Sequence, residues 1–200
     1  VLSDDIYEKI TYDDFKFSTI AQVYPKIKNR VLTVNGVSKA YSMTGWRIGY
    51  AGGEEKLIKA MAKVQSQSTS NPASISQYAA LEALTNKEDF IVKNNKLFKE
   101  RRELIVGSMN NIEGIQCSVP NGAFYIFPSC LGLLGRKDES GNIIKNSNDF
   151  CSFLLEKAGV ATVPGLAFGL EGYFRISYAT STSLLKEAGH RIQKACETLK

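Results

Sequence analysis

Ser38, Lys39 and Arg47 lie within one short run, NGVSKAYSMTGWRIGY (Asn35 to Tyr50), and their types suit covalent chemistry on a phosphorylated carbonyl compound. A lysine in a soluble protein has two readings: a solvated surface cation, or an amine nucleophile that forms a Schiff base. An amine with its reference pKa of about 10.4 is neutral in roughly one molecule in 2,500 at pH 7, so the second reading needs a neighbouring cation or desolvation. Arg47, folded back towards Lys39, supplies the cation, and its rigid fork of donors also suits a phosphate. Ser38 adds a hydroxyl donor. An amine nucleophile beside an anion-binding arginine and serine suits pyridoxal phosphate, which carries an aldehyde and a phosphate.

The elements that position this run are short. Val31-Leu32-Thr33-Val34 is apolar and β-branched and reads as a buried strand, and Ile48-Gly49-Tyr50-Ala51 is a second short apolar run. Lys39 then sits just past a strand's carboxyl end, the rim where open α/β sheets bind ligands. Near the start, Asp4 and Tyr7 are three apart, so one helical turn puts them on one side. Taken alone they read as an aspartate capping a turn with a tyrosine packed on it. Arg175 stands among apolar neighbours in Phe174-Arg175-Ile176-Ser177-Tyr178, which is unusual unless its charge is paired. A structural salt bridge and a grip on a carboxylate both satisfy that condition.

The run SKAYSMTGWRIGY resembles the cofactor-lysine motif of the class I, fold-type I pyridoxal-phosphate aminotransferases, and within them the bacterial aspartate aminotransferase branch. The resemblance implies that Lys39 is the Schiff-base lysine, with Ser38 and Arg47 on the cofactor phosphate. Asp4 and Tyr7 resemble the family's D-x-x-Y motif. By that resemblance Asp4 is a buried carboxylate on the pyridine nitrogen and Tyr7 donates to the phenolic oxygen, while Asp5 is the near miss. FRISYA resembles the motif whose arginine, here Arg175, holds the substrate carboxylate. PNGAFYIFP is similar to the family's small-domain hairpin, and VPGLAFG to a run at the active-site entrance.

Composition narrows the alternatives. The chain has 200 residues, 44% hydrophobic and 22% charged, with a net charge of +5. Those are values of an ordinary globular protein, and no run of like charges suggests a nucleic-acid arm or a membrane patch. No apolar run of about 18 residues suggests a membrane span. Cys117, Cys130, Cys151 and Cys196 form no C-x-x-C motif and read as free thiols of a reducing cytoplasm. His190 is the only histidine and has no partner for a metal site. The chain opens on Val1-Leu2 without an initiator methionine, as a piece of a longer protein would.

The remaining pattern is helical and strand-like in turn. Residues 11–30 read as loop and short helix. Residues 54–67 read as a helix whose stripe Leu57, Ile58, Met61 and Val64 is core packing. The polar stretch 67–72 is a loop, and residues 74–84 form another helix. A long helix from Glu88 to Asn110 has a narrow apolar stripe suited to bridging two domains, with Arg101-Arg102 on its solvated face. Strands over 114–119 and 123–127 are joined by the turn Pro120-Asn121-Gly122. A surface loop spans 135–148, and a helix over 149–157 is capped by Ser147 or Asn148 and ended by Gly159. A strand over 160–163 and a closing helix over 183–199 complete the pattern.

The fold expected is α/β: residues 1–88 as the C-terminal part of a large, mostly parallel domain, and residues 89–200 as a small α+β domain. The resemblance implies a homodimer that moves an amino group between an amino acid and a 2-oxo acid, aspartate and 2-oxoglutarate first. Aromatic or alanine transamination, a β-eliminating lyase and a non-catalytic dimerisation module are the alternatives. The family's phosphate-binding turn, ring-stacking aromatic and phenol-contacting asparagine belong upstream of Val1, so the expectation for these 200 residues alone is no turnover.

Overall fold

The computed structural model describes residues 1–86 and 89–200. The chain divides into two compact units, Val1–Asn95 and Lys96–Lys200. The division falls inside the long helix α4 (Asp89–Asn110); the expected start of that helix at Glu88 lies outside the described residues.

The first unit is built on a small sheet. Strand β1 (Leu2–Asp4) runs parallel to β2 (Leu32–Gly36), with Asp4 beside Val34. Strand β3 (Gly49–Gly52) returns antiparallel on the other side of β2 and ends the pairing with Gly36 opposite Gly49. The connection from β1 to β2 holds α1 (Ile20–Val23) and a 3-10 turn, Pro25–Arg30. The buried cluster Val37, Ile48 and Ala80, with Tyr41 and Met43 against it, joins the loop after β2 to helix α3 (Ser74–Thr85). Asn95 in α4 donates its side-chain amide to the Lys9 carbonyl at 2.7 Å.

Helix α2 (Glu55–Ser66) corrects the sequence reading. Its N-cap Glu54 accepts from the Leu57 N–H at 3.0 Å, but no residue of the helix is buried. Leu57 and Met61 are exposed, and Val64 is 71% exposed. Periodicity marks a face that gains by being covered and is silent on what covers it. The described residues of the first unit supply no cover.

In the second unit β4 (Tyr125–Ile126), β5 (Val163–Pro164) and β6 (Phe174–Ser177) form an antiparallel sheet with β6 in the centre. The two runs expected to form a hairpin around Pro120-Asn121-Gly122 share no strand pairing among the described residues; Gln116 of the first bridges to Ser129, which lies beyond the second. Tyr125 and Ile126 pair instead with Ser177 and Ile176 of β6. Tyr178 anchors this choice: its N–H donates to the Phe124 carbonyl at 2.9 Å, and its hydroxyl donates to the Ala123 carbonyl at 3.0 Å.

Arg102, read as a solvated partner of Arg101, is 3% exposed and donates to the Pro120 carbonyl at 2.9 Å. A buried guanidinium is tolerated where a carbonyl accepts from it. Helix α5 (Ser147–Phe153) is capped by Asn146, one residue before the expected caps, through the Asp149 N–H at 2.9 Å. It continues as a π-helical turn, Leu154–Ala158, ended by the left-handed Gly159. Helix α6 (Thr182–Glu197) begins at the N-cap Ser181, whose hydroxyl accepts from the Leu184 N–H at 3.2 Å.

Glu171 ties two of these elements together. One carboxylate oxygen accepts from the Ser147 N–H at the start of α5, at 2.5 Å, and from the Gly172 N–H at 2.8 Å. These backbone donors hold its pKa below the usual carboxylate range. A depressed folded-state pKa contributes stability above the unfolded value, about 4.3, and that contribution disappears as pH falls through the folded value. Glu171→Gln therefore lowers Tm at pH 7, and the gap to the parent narrows as pH falls below 4; thermal unfolding across pH 2.5–7 measures it, and a gap independent of pH contradicts it.

Candidate active site

The rim at the carboxyl ends of β1 and β2 gathers most of the residues marked in the sequence. Asp4 closes β1, and the next residue bonds onto β2 through Asp5 N–H to Val34 C=O at 2.8 Å. Tyr7 is half-buried in the turn that follows, its carbonyl accepting from the Ile10 N–H at 2.9 Å. Across from it β2 ends at Gly36, and Ser38 and Lys39 stand in the turn immediately beyond, both half-buried.

Arg47 reaches the same rim from the other side. The β2–β3 pairing continues past Gly36–Gly49 to one more bond, Val37 N–H to Ile48 C=O at 3.4 Å. Ser38 and Arg47 are the next residues on the two sides of the loop that this bond closes. Gly36 makes the closure possible: a Cβ there would lie 2.8 Å from the Ile48 carbonyl oxygen. The 3-10 turn Thr44–Trp46 precedes Arg47, which has φ 55° and ψ 44°. Its guanidinium donates to the Thr44 carbonyl at 2.8 Å. A left-handed backbone at a non-glycine residue is a strain that the surrounding structure must impose.

Asp4 differs from its expectation. It is exposed, with one oxygen accepting from the Ile6 N–H at 3.3 Å. The buried aspartate is its neighbour Asp5, 5% exposed, which accepts from the Ser3 hydroxyl at 2.7 Å. Among the described residues of the first unit nothing covers the rim position that Asp4 occupies. Beside the rim, Tyr50 pairs with Asn35, and burial first, then the Glu8 carboxylate, push its phenol pKa up.

Arg175 belongs to the second unit. It is half-buried on β6, and its guanidinium carbon lies 4.5 Å from the Tyr125 ring centroid and 4.4 Å from that of Phe168. Among the described residues no carboxylate pairs with it, so the structural salt bridge is absent. The two rings were missed in the sequence, although PNGAFYIFP and VPGLAFG contain them. The four cysteines are free and buried, and desolvation pushes Cys130 and Cys196 up to about 12, so they carry no reactive thiolate. Among the described residues no His, Cys, Asp and Glu group of three or more is placed to hold a metal ion, and no helix is long and apolar enough to cross a membrane.

The first unit thus carries an amine, a guanidinium, a hydroxyl, a carboxylate and a phenol on one sheet rim of an α/β fold. That architecture is shared with solved aminotransferases. The aspartate aminotransferase of Rhizobium meliloti superposes with a TM-score of 0.97 at 59% identity, covering 100% of this chain and 50% of that one. The aromatic aminotransferase of Pyrococcus horikoshii superposes with a TM-score of 0.85 at 37% identity, over 98% and 50%. The family described as Aminotransferase class I and II matches residues 1–192, and the chain belongs to it. A relative in Rickettsia felis, named probable aspartate/prephenate aminotransferase, is 58% identical over 100% of this chain and 49% of its own length. The chain spans about half the length of the curated relatives it matches.

The strain at Arg47 generates a test. Arg47→Gly is more stable than Arg47→Ala by about 1 kcal/mol, because glycine adopts the left-handed backbone freely. Urea unfolding of the two variants checks this, and equal midpoints contradict it.

Proposed function

We propose that this chain is the C-terminal half of a pyridoxal-phosphate-dependent aminotransferase that moves an amino group between aspartate and 2-oxoglutarate. Residues 1–88 complete its large domain and residues 89–200 form its small domain. The observation that carries the reading is the Val37–Ile48 bond, which leaves Ser38, Lys39 and Arg47 around the mouth of one loop. The donor set fits the cofactor. Ser38 and Arg47 offer a hydroxyl and a guanidinium to its phosphate, Lys39 an amine to its aldehyde, Asp4 a carboxylate to its ring nitrogen and Tyr7 a phenol to its phenolic oxygen. The close approach of Gly36 to Ile48 supports the fit, since it holds the loop tight enough to present both sides to one anion.

The bound cofactor supplies an electron sink for the substrate α-carbon. The protein supplies the rest. With the cofactor bound, Lys39 would take the α-proton as general base and return a proton as general acid. Asp4, as a carboxylate, keeps the ring nitrogen protonated, which strengthens the sink. Arg175 holds the substrate carboxylate bidentately through its planar fork. The second substrate reverses the sequence, so the two half-reactions share these residues in a ping-pong cycle.

Aspartate is preferred over an aromatic substrate because the aspartate-named relatives are the more similar, at 58–59% against 37% identity. The name of the Rickettsia relatives adds prephenate, itself a 2-oxo acid, as a second acceptor to try. A homodimer in the cytoplasm fits the family and the four free cysteines. The complete enzyme should transaminate aspartate with 2-oxoglutarate, and the 200-residue chain supplied with pyridoxal phosphate should not. Turnover by the chain alone contradicts its dependence on the other half; a complete enzyme that binds the cofactor yet turns over neither aspartate nor an aromatic amino acid contradicts the assigned activity.

A further inference from the structure

We propose that Tyr125 and Phe168 are positioning residues for the carboxylate grip of Arg175: their rings fix the guanidinium by its face and leave its N–H edge for the ligand. The inference rests on the reading of Arg175 as that grip. It is carried by the geometry around a half-buried cation that no carboxylate accompanies among the described residues.

A guanidinium is a flat cation. A carboxylate binds it in the plane, along the N–H edge, whereas an aromatic ring binds it through the face. The two uses do not compete. With ring centroids at 4.5 and 4.4 Å, Arg175 receives the attraction of two electron-rich faces, and among the described residues no hydrogen bond or ion pair takes up its N–H donors. A structural carboxylate would consume those donors and oppose a second anion. The aromatic pair offsets part of the desolvation of the cation while keeping the site able to accept an anion.

Both rings are themselves held. Tyr125 stands opposite Ser177 on β4, which makes it a diagonal neighbour of Arg175 on the same sheet face. Its ring packs on Phe124 at 4.8 Å. Phe168 lies in the 3-10 turn Gly165–Phe168 after β5. That turn is clamped to the strand leading into Arg175 by the Gly165 N–H bond to the Tyr173 carbonyl, 2.7 Å. Only glycine fits there, since a Cβ would lie 2.6 Å from the Tyr173 carbonyl oxygen. Phe127 meets Phe168 edge-on at 5.9 Å and stacks on Tyr173 at 5.4 Å. Phe168 is nevertheless 47% exposed, an unusual position for a ring whose purpose is core packing alone.

The test is kinetic, in the complete enzyme carrying this chain. Phe168→Leu and Tyr125→Leu keep apolar bulk and remove the π face; Tyr125→Phe keeps the ring. Each leucine variant should raise KM for the amino acid and for the 2-oxo acid together, roughly five- to tenfold, because both substrates present the same carboxylate. Tyr125→Phe should restore KM. Unchanged KM in both leucine variants, with KM raised in Arg175→Lys, overturns the proposal and leaves the Arg175 grip standing. Unchanged KM in Arg175→Lys removes the grip itself and the proposal with it. A measurement on the unsubstituted chain is independent of how the variants fold: the Arg175 side-chain Nε–H and Cδ protons should show ring-current displacement by nuclear magnetic resonance, and random-coil positions overturn the proposal.

Discussion

The geometry of the rim depends on one backbone interaction, the bond from Val37 N–H to Ile48 C=O. It extends the β2–β3 pairing beyond Gly36–Gly49 and closes the loop from which Ser38, Lys39 and Arg47 project. The bond needs two strands at contact distance. Gly36 allows that, and the side chains of Val37 and Ile48 are buried against Ala80 beneath it. Burial of these apolar groups is the larger stabilising term, and the hydrogen bond sets the register. The left-handed Arg47 is where the cost appears: the chain must turn sharply to present a guanidinium at the mouth of a loop this tight.

The second unit solves a different electrostatic problem. Arg175 and Arg102 are both removed from water to some degree, and they are treated differently. Arg102 is almost fully buried and donates to a backbone carbonyl. Arg175 is half-buried and rests against aromatic faces. The first arrangement consumes donors and suits a structural cation. The second conserves them and suits a cation with a ligand still to come. Glu171 serves the same strand from outside, fixing the backbone at Gly172 just before β6.

The sequence was most legible where chemistry and local geometry coincide. The apolar run Val31–Val34 before a lysine marked strand β2 and the rim beyond it, and helices α2, α3, α4 and α6 stand where helical runs were expected. The losses have a common physical origin. A stripe on α2 marks a face to be covered, yet the first unit leaves it bare. The Pro120-Asn121-Gly122 turn announced a hairpin, but Tyr178 drew Tyr125 and Ile126 onto β6. Asp4 was expected buried and is exposed, with no cover over it among the described residues of the first unit. Arg102 and the two rings beside Arg175 depend on partners distant in sequence, which no local pattern records.

The central claim is that Lys39 is the amine that holds the cofactor. Borohydride reduction of the complete enzyme loaded with pyridoxal phosphate fixes the cofactor on whichever lysine bears it, and peptide mapping then locates it. One labelled peptide is expected, with the label on Lys39. Label on another lysine, or spread evenly over several, would contradict it.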